Sequence, residues 1–258
     1  MTLAGRGAVV TGGGRGIGAA VARALAGAGA RVLVAARHGD EVEAVAAELR
    51  RAGHDAWSAP CDVTDTGQVS ALERTARARL GTVDILVNNA GTSSSAPVQR
   101  IQLEEWQRLL AVNATGTLLV TQAFLPPMRE RNWGRIVNVA SIAGLAGAKY
   151  IAAYSAAKHA VIGFTRSVAA ELAGTGVTMN AVCPGYVDTP MTDESLARIM
   201  ERTRQTREAA LAAILTHSGQ PRLVTADEVA VTVLALAGDA AATLNGQTIV
   251  LDAGALRA

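Results

Sequence analysis

Short, wholly apolar runs alternate along the chain with longer stretches whose apolar residues recur at helical spacing. The apolar runs predict strands at about 8–11, 31–36, 55–60, 84–88, 134–140, 177–182 and 247–251. The amphipathic stretches predict helices at about 16–28, 40–52, 66–80, 103–131, 152–173 and 226–237. Strand and helix in alternation predict a parallel sheet, because a parallel crossover needs a helix and each helix buries its apolar stripe on a sheet face. The expectation is an α/β protein with a doubly wound, seven-stranded parallel sheet and helices on both faces. Pro126-Pro127 predicts a break or kink in the long fourth helix, since proline lacks a donor and clashes with the preceding turn. No repeat, low-complexity tract or linker divides the chain, so residues 1–258 are expected to form one domain. Residues 186–224 stand apart from the alternation. They hold a helical stretch from about Glu194 to Leu215 that carries Arg198, Arg202, Arg204 and Arg207, and their length and composition predict a lid over a site.

The first strand runs into Thr11-Gly12-Gly13-Gly14-Arg15-Gly16-Ile17-Gly18 and then an alanine-rich helix. A strand, a glycine turn and a helix N-terminus together make an anion site, because free backbone N–H groups and the helix dipole face the ligand. Gly12 permits the tight turn, Gly16 lets backbone approach a pyrophosphate, and Gly18 allows helix and strand to pack closely. The spacing is T-G-x-x-x-G-x-G, which differs from the commonest dinucleotide fingerprint G-x-G-x-x-G.

Tyr154 and Lys158 lie four residues apart in Y-S-A-A-K, thirteen residues after Ser141. Residues at that spacing share a helix face. An ammonium ~4 Å from a phenol favours the phenolate by roughly 4 kcal/mol at an effective dielectric of ~20. That is enough to lower a phenol pKa near 10 by ~3 units, into the working range of an acid–base catalyst. Ser141 adds a hydroxyl that can hold a carbonyl oxygen. On Tyr154 and Lys158 alone, an ordinary helix face explains the spacing.

The glycine turn, Asn88-Asn89-Ala90-Gly91, Asn113, Ser141, Tyr154, Lys158 and Pro184-Gly185 occur in the order and spacing of the short-chain dehydrogenase/reductase family, which the chain resembles over essentially its whole length. Val182-Cys183-Pro184-Gly185-Tyr186-Val187-Asp188-Thr189-Pro190-Met191 and Tyr154-Ser155-Ala156-Ala157-Lys158-His159 look most like 3-oxoacyl thioester reductases and aromatic polyketide ketoreductases. The resemblance implies a single-domain Rossmann fold, a nicotinamide cofactor, and hydride exchange with a carbonyl or alcohol. It implies Tyr154 as general acid, Ser141 as the hydroxyl on the substrate oxygen, and Lys158 as a partner of both Tyr154 and the nicotinamide ribose. Asn113 then anchors a water-mediated proton path to Lys158. Asp62 resembles the acceptor of the adenine amino group, with Val63 against the ring. Asn89, Ala90 and Gly91 resemble the floor of the cofactor site, and Pro184, Gly185, Val187 and Thr189 the segment holding the nicotinamide. It also implies a homotetramer paired through the fourth and fifth long helices, for which the alanine-rich run from Ala152 to Ala170 allows close approach.

Dinucleotide sites that prefer NAD carry an acidic residue about 20 residues past the glycine motif. Here the end of the second strand holds Ala36, followed by Arg37 and His38. Arg37 can pair bidentately with a 2′-phosphate, and Arg15 occupies the place of a second phosphate contact in similar family members. The expected cofactor is NADP(H), with NAD possible. The lid arginines can serve either to hold the phosphates of coenzyme A or of a carrier-protein arm, or as a solvated face paired with Glu194, Glu201 and Glu208.

A net charge of +2 with 18% charged residues offers no clustered basic face for nucleic acid. Cys61 and Cys183 form no metal or CxxC pattern and read as reduced thiols. The first strand begins near the N-terminus, leaving no room for a signal peptide, and apolar stretches are interrupted by charge, Gly or Pro. A cytoplasmic protein without metal or membrane partner is expected. Three functions compete: an NADPH-dependent ketoreductase, an NAD-dependent secondary alcohol or hydroxysteroid dehydrogenase, and a cofactor-binding protein without turnover. Ala36 and Arg37 favour the first over the second, and the intact Ser141, Tyr154 and Lys158 disfavour the third.

Overall fold

Seven strands form one sheet in the computed structural model, which describes residues 2–255. They are β1 (Gly7–Thr11), β2 (Arg31–Ala36), β3 (Ala56–Pro60), β4 (Ile85–Asn88), β5 (Gly134–Val139), β6 (Val177–Pro184) and β7 (Thr248–Leu251). All six pairings are parallel, in the order β3-β2-β1-β4-β5-β6-β7. Side chains alternate across the pleat, so Val10, Val32 and Val34 enter one core while Val9, Leu33 and Leu86 enter the other. The first core is closed by Val21 and Leu25 of α1 (Gly16–Gly27), Val42 and Leu49 of α2 (Gly39–Arg51), and Val229 and Val233 of α9 (Ala226–Ala237). The second is closed by Leu72 of α3 (Thr66–Leu80), Phe124 and Met128 of α5 (Gly116–Glu130), and Val168 of α6 (Ala152–Glu171). Burial on both faces explains why the strands read as unbroken apolar runs. The winding reverses between β1 and β4, and a crevice opens outside their carboxyl ends.

The long fourth helix keeps its expected bounds and departs from expectation within them. It begins as α4 (Leu103–Leu110), passes through a π turn at Ala111–Thr115 and continues as α5. It does not end at Pro126-Pro127 but runs on to Glu130. Phe124 and Met128, both buried, anchor the helix on either side of the pair, so tertiary packing offsets the lost backbone bonds. The run Leu103–Glu130 is long and apolar enough to cross a membrane by length and composition, yet its buried face packs on the sheet as a core helix does.

The segment after β6 folds as two helices, α7 (Pro190–Thr203) and α8 (Arg207–Ser218), where one was expected. Arg204 takes a left-handed φ of 57° and Thr206 restarts the helix by accepting from the Ala209 N–H at 3.3 Å. The pair shares a small core of Leu196, Ala210 and Ile214. Its neck is closed by a parallel bridge between Val187 and Val224, with the Asp188 N–H on the Val224 carbonyl at 2.8 Å. Gln220, buried beneath the neck, accepts from the Tyr186 N–H at 2.7 Å and donates to the Tyr186 carbonyl at 3.3 Å. The arginines of this segment do not pair along their own helices with Glu201 or Glu208. Arg207 binds Asp193, Arg198 donates to Ser195, and Arg202 reaches the Ser95 carbonyl at 3.5 Å.

Candidate active site

Ser141 follows β5 in extended conformation and caps a 3₁₀ turn at Ile142–Gly144, its Oγ accepting from the Ala143 N–H at 3.1 Å. That turn lies directly on α6. A Cβ on Gly144 would stand 2.7 Å from the Lys158 carbonyl oxygen, so only glycine allows the approach. Ser155 of α6 secures it by donating to the Ala143 carbonyl at 2.7 Å. The clamp brings Ser141 within hydrogen-bonding reach of the half-buried Tyr154.

Lys158 is 5% exposed, and its Nζ donates to the Val139 carbonyl at 2.9 Å. The same Nζ is 5.8 Å from the centre of the Tyr154 ring. Burial pushes the Tyr154 phenol up to about 12, partly offset by the hydrogen bond with Ser141. Burial also lowers Lys158 to about 8. The downward shift of Tyr154 expected from its neighbour is therefore not present in this state. Desolvation dominates the phenol, and the ammonium is held by the Val139 carbonyl.

Asn113 sits in the π turn, fully enclosed, where such turns commonly mark functional positions. Its Nδ2 donates to the carbonyls of Thr92 and Leu109, each at 2.9 Å, and its Oδ1 accepts from the Thr92 N–H at 3.3 Å. Thr117 donates to the Asn113 carbonyl at 2.8 Å. A Cβ on Gly91 would lie 2.9 Å from Asn113 Oδ1 and 3.6 Å from Lys158 Nζ. The bare glycine thus leaves the space between Asn113 and Lys158 open.

The glycine turn lies at the carboxyl end of β1. Gly12 and Gly16 have φ of 63° and 53°, and a Cβ on Gly18 would collide with the Gly12 carbonyl and with Asn89. Asn89 braces the turn, donating to the carbonyls of Thr11 and Gly12 at 3.0 Å each, while the N–H groups of Asn89 and Ala90 bind Thr11 Oγ1. No side chain caps α1, which leaves its first N–H groups, at Gly16, Ile17 and Gly18, without a capping acceptor. A cradle of bare backbone with free donors fits the pyrophosphate of a dinucleotide. Further along the rim, Ala36 ends β2 and Arg37 is exposed. Asp62 accepts from the Thr64 N–H and hydroxyl through Oδ1, and Val63 packs beneath Gly116. Pro184 ends β6, Gly185 passes over Gln220, Val187 is buried, and Thr189 precedes α7 with its methyl beside Gly16. The sequence-predicted residues thus gather along one rim of the sheet.

Arg15 is the exception in orientation. It is exposed and its Nη2 lies 3.1 Å from Glu194 Oε1 at the start of α7. The Glu41 carboxylate packs over Gly14, where a Cβ would stand 3.2 Å from its Oε2. Sequence reading missed Glu41, Thr92 and Gln220, which carry no local signal, and named Glu194 only as a partner of the lid arginines and Thr11 only as part of the glycine motif. His159 is exposed, with Nδ1 2.9 Å from the Ser155 carbonyl oxygen. Cys61 and Cys183 are buried free thiols, each pushed up to about 11 by burial.

Two hollows open among the described residues. One of about 490 Å³, lined by Arg6, Asp84, Arg131 and Trp133, lies at the amino ends of the strands, away from the site. Its charges are internally paired, with Asp84 3.9 Å from Arg6 and 3.6 Å from Arg131. The other, of about 90 Å³, lies between Ser94, Glu105, Tyr150 and Ala153.

The family model for short chain dehydrogenases matches residues 6–199. A 3-oxoacyl-[acyl-carrier-protein] reductase of Synechocystis is 42% identical over 96% of this chain and 95% of its own length. A D-beta-hydroxybutyrate dehydrogenase of Rhizobium meliloti is 38% identical over 96% and 97%. Among solved structures, an actinorhodin polyketide ketoreductase variant with NADPH superimposes with a TM-score of 0.93 at 39% identity, covering 97% of each chain. With a doubly wound sheet, a glycine cradle and a Ser–Tyr–Lys cluster at one rim, the chain belongs to the short-chain dehydrogenase family of oxidoreductases.

Proposed function

We propose that this protein is an NADPH-dependent ketoreductase acting on a 3-oxoacyl thioester or polyketide-like ketone. The observation that carries the reading is the clamp at Gly144, which sets Ser141 against Tyr154 beside the glycine cradle. The nicotinamide cofactor, when bound, supplies the hydride. Ser141 holds and polarises the substrate oxygen, and Tyr154 donates its proton to that oxygen as the carbonyl is reduced. A phenol near 12 is fully protonated at neutral pH, as a proton donor must be. Lys158 stabilises the tyrosinate left behind and hydrogen-bonds the nicotinamide ribose. Asn113 carries the proton path that restores Tyr154, through the space left by Gly91. Gly12, Gly16, Ile17 and Gly18 would hold the pyrophosphate, with Asn89 and Ala90 bracing the floor. Asp62 and Val63 would hold the adenine, and Pro184, Gly185, Val187 and Thr189 the nicotinamide. Ala36, Arg37 and Arg15 favour the 2′-phosphate.

The names of the Synechocystis and actinorhodin relatives support this reading, and the first supports a substrate carried as a thioester. The α7–α8 segment serves as the lid. The assembly proposed is a cytoplasmic homotetramer paired through α5 and α6. Light scattering at micromolar concentration checks it, and a monomer refutes it.

NAD-dependent oxidation of a small hydroxy acid is the second reading. It is favoured by the Rhizobium relative and by the carboxylates of Glu41 and Glu194 near the glycine turn. Initial rates with NADPH and NADH on 3-oxoacyl thioesters and cyclic ketones, and with NADP⁺ and NAD⁺ on 3-hydroxy acids, decide between them. Reduction of thioester or ketone with NADPH is expected. Turnover confined to hydroxy acids with NAD overturns the proposal.

A further inference from the structure

We propose that Glu194, a lid residue, limits the preference of the groove for a 2′-phosphorylated dinucleotide by competing with that phosphate for Arg15. The inference rests on the reading above that Arg15 and Arg37 receive the 2′-phosphate. Arg15 extends from the glycine turn to the first turns of α7, where Nη2 meets Glu194 Oε1 at 3.1 Å. Both side chains are about half exposed, at 55% and 50%, so the pair is within reach of an incoming anion. The start of α7 is fixed beside the turn, since the Thr189 methyl would lie 3.2 Å from a Cβ on Gly16. Asp193, the neighbouring carboxylate, is already held by Arg207 at 2.5 Å. Glu194 is therefore the α7 carboxylate that engages Arg15, and Glu41 adds a second negative group over Gly14.

Glu194 engages one terminal nitrogen of the guanidinium, Nη2, and a phosphate gripped bidentately by the two terminal nitrogens needs that same Nη2. The phosphate must displace the carboxylate. By reciprocity, a bound 2′-phosphate removes the ion pair between α7 and the glycine turn, so cofactor identity is coupled to one of the contacts that hold the lid. Exposed ion pairs are weak, which sets the expected effect at about two- to five-fold in affinity.

Calorimetric titration with 2′,5′-ADP and with 5′-ADP tests the competition without turnover. Glu194→Gln keeps the side-chain shape at an exposed position. It is expected to tighten 2′,5′-ADP about two- to five-fold and to leave 5′-ADP unchanged. In an Arg15→Ala background the Glu194→Gln effect is expected to vanish. If Arg15→Ala weakens 2′,5′-ADP while Glu194→Gln changes nothing, or tightens both ligands equally, the competition is refuted and the cofactor reading stands. If Arg15→Ala leaves 2′,5′-ADP affinity unchanged, the role given to Arg15 fails and the competition fails with it.

Discussion

Lys158 gives its ammonium to the carbonyl oxygen of Val139 at 2.9 Å and stands 5.8 Å from the centre of the Tyr154 ring. Helical spacing alone puts the two side chains on one face, but the carbonyl at the end of β5 decides where the charge is anchored. The lysine is the titrating group nearer neutrality, at about 8, while the phenol lies at about 12. This inverts the expectation that the tyrosine is the tuned member.

The pH dependence of reduction follows from that order. Below pH about 8 Lys158 is charged and can stabilise the tyrosinate formed as Tyr154 gives up its proton. Above it the lysine is neutral and that stabilisation is lost, while Tyr154 remains protonated up to about 12. Reductive kcat/KM is therefore expected to be flat through neutrality and to fall above about pH 8. A profile that stays level to pH 10 would remove Lys158 from the chemistry.

Tyr154→Phe keeps the ring and loses the acid. Turnover should fall by about 10²–10⁴-fold with cofactor affinity unchanged, and more than a tenth of the parent kcat argues against the assigned role. Lys158→Ala should weaken cofactor binding as well as chemistry. A fluorescence titration showing unaltered NADPH affinity would separate Lys158 from the ribose.

Gly144→Ala tests the clamp. The new methyl must push the 142–144 turn off the Lys158 carbonyl, destabilising the fold by about 1–3 kcal/mol and moving Ser141 away from Tyr154. Thermal melts should show a lower Tm, and kcat should fall with little change in cofactor Kd. Unchanged kcat in a folded variant would show that Ser141 is positioned independently of this contact.

The cofactor preference is open to inversion at the end of β2. Charge-assisted bonds from Arg37 to the 2′-phosphate should favour NADPH by about 1.5–3 kcal/mol. Ala36→Asp with Arg37→Ala repels that phosphate and supplies a ribose acceptor, so NADH should become the better cofactor. The change belongs in KM, because the phosphate interacts equally in ground and transition states. Equal use of both cofactors by the parent enzyme sinks the reading of Arg15 and Arg37.

Strand–helix order and the glycine cradle were legible in the chain alone, and the family resemblance singled out Asn113, Ser141, Tyr154 and Lys158 as candidates. The order, the cradle and the Tyr154–Lys158 pair are written in local patterns: a period of two or of 3.6, a turn that only glycine tolerates, a spacing of four on one helix. Residues 8–11 read as a strand because both faces of β1 are buried, and burial leaves its mark in every residue of the run. Only the tertiary structure decided that α5 continues through Pro126-Pro127, that the 111–115 turn opens around Asn113, and that residues 186–224 fold as two helices. It alone paired Arg15 with Glu194 and Lys158 with the Val139 carbonyl. Such choices turn on differences of about 1 kcal/mol between competing polar partners. Those partners become neighbours only when strands and helices far apart in the chain are packed together, so no local pattern records them.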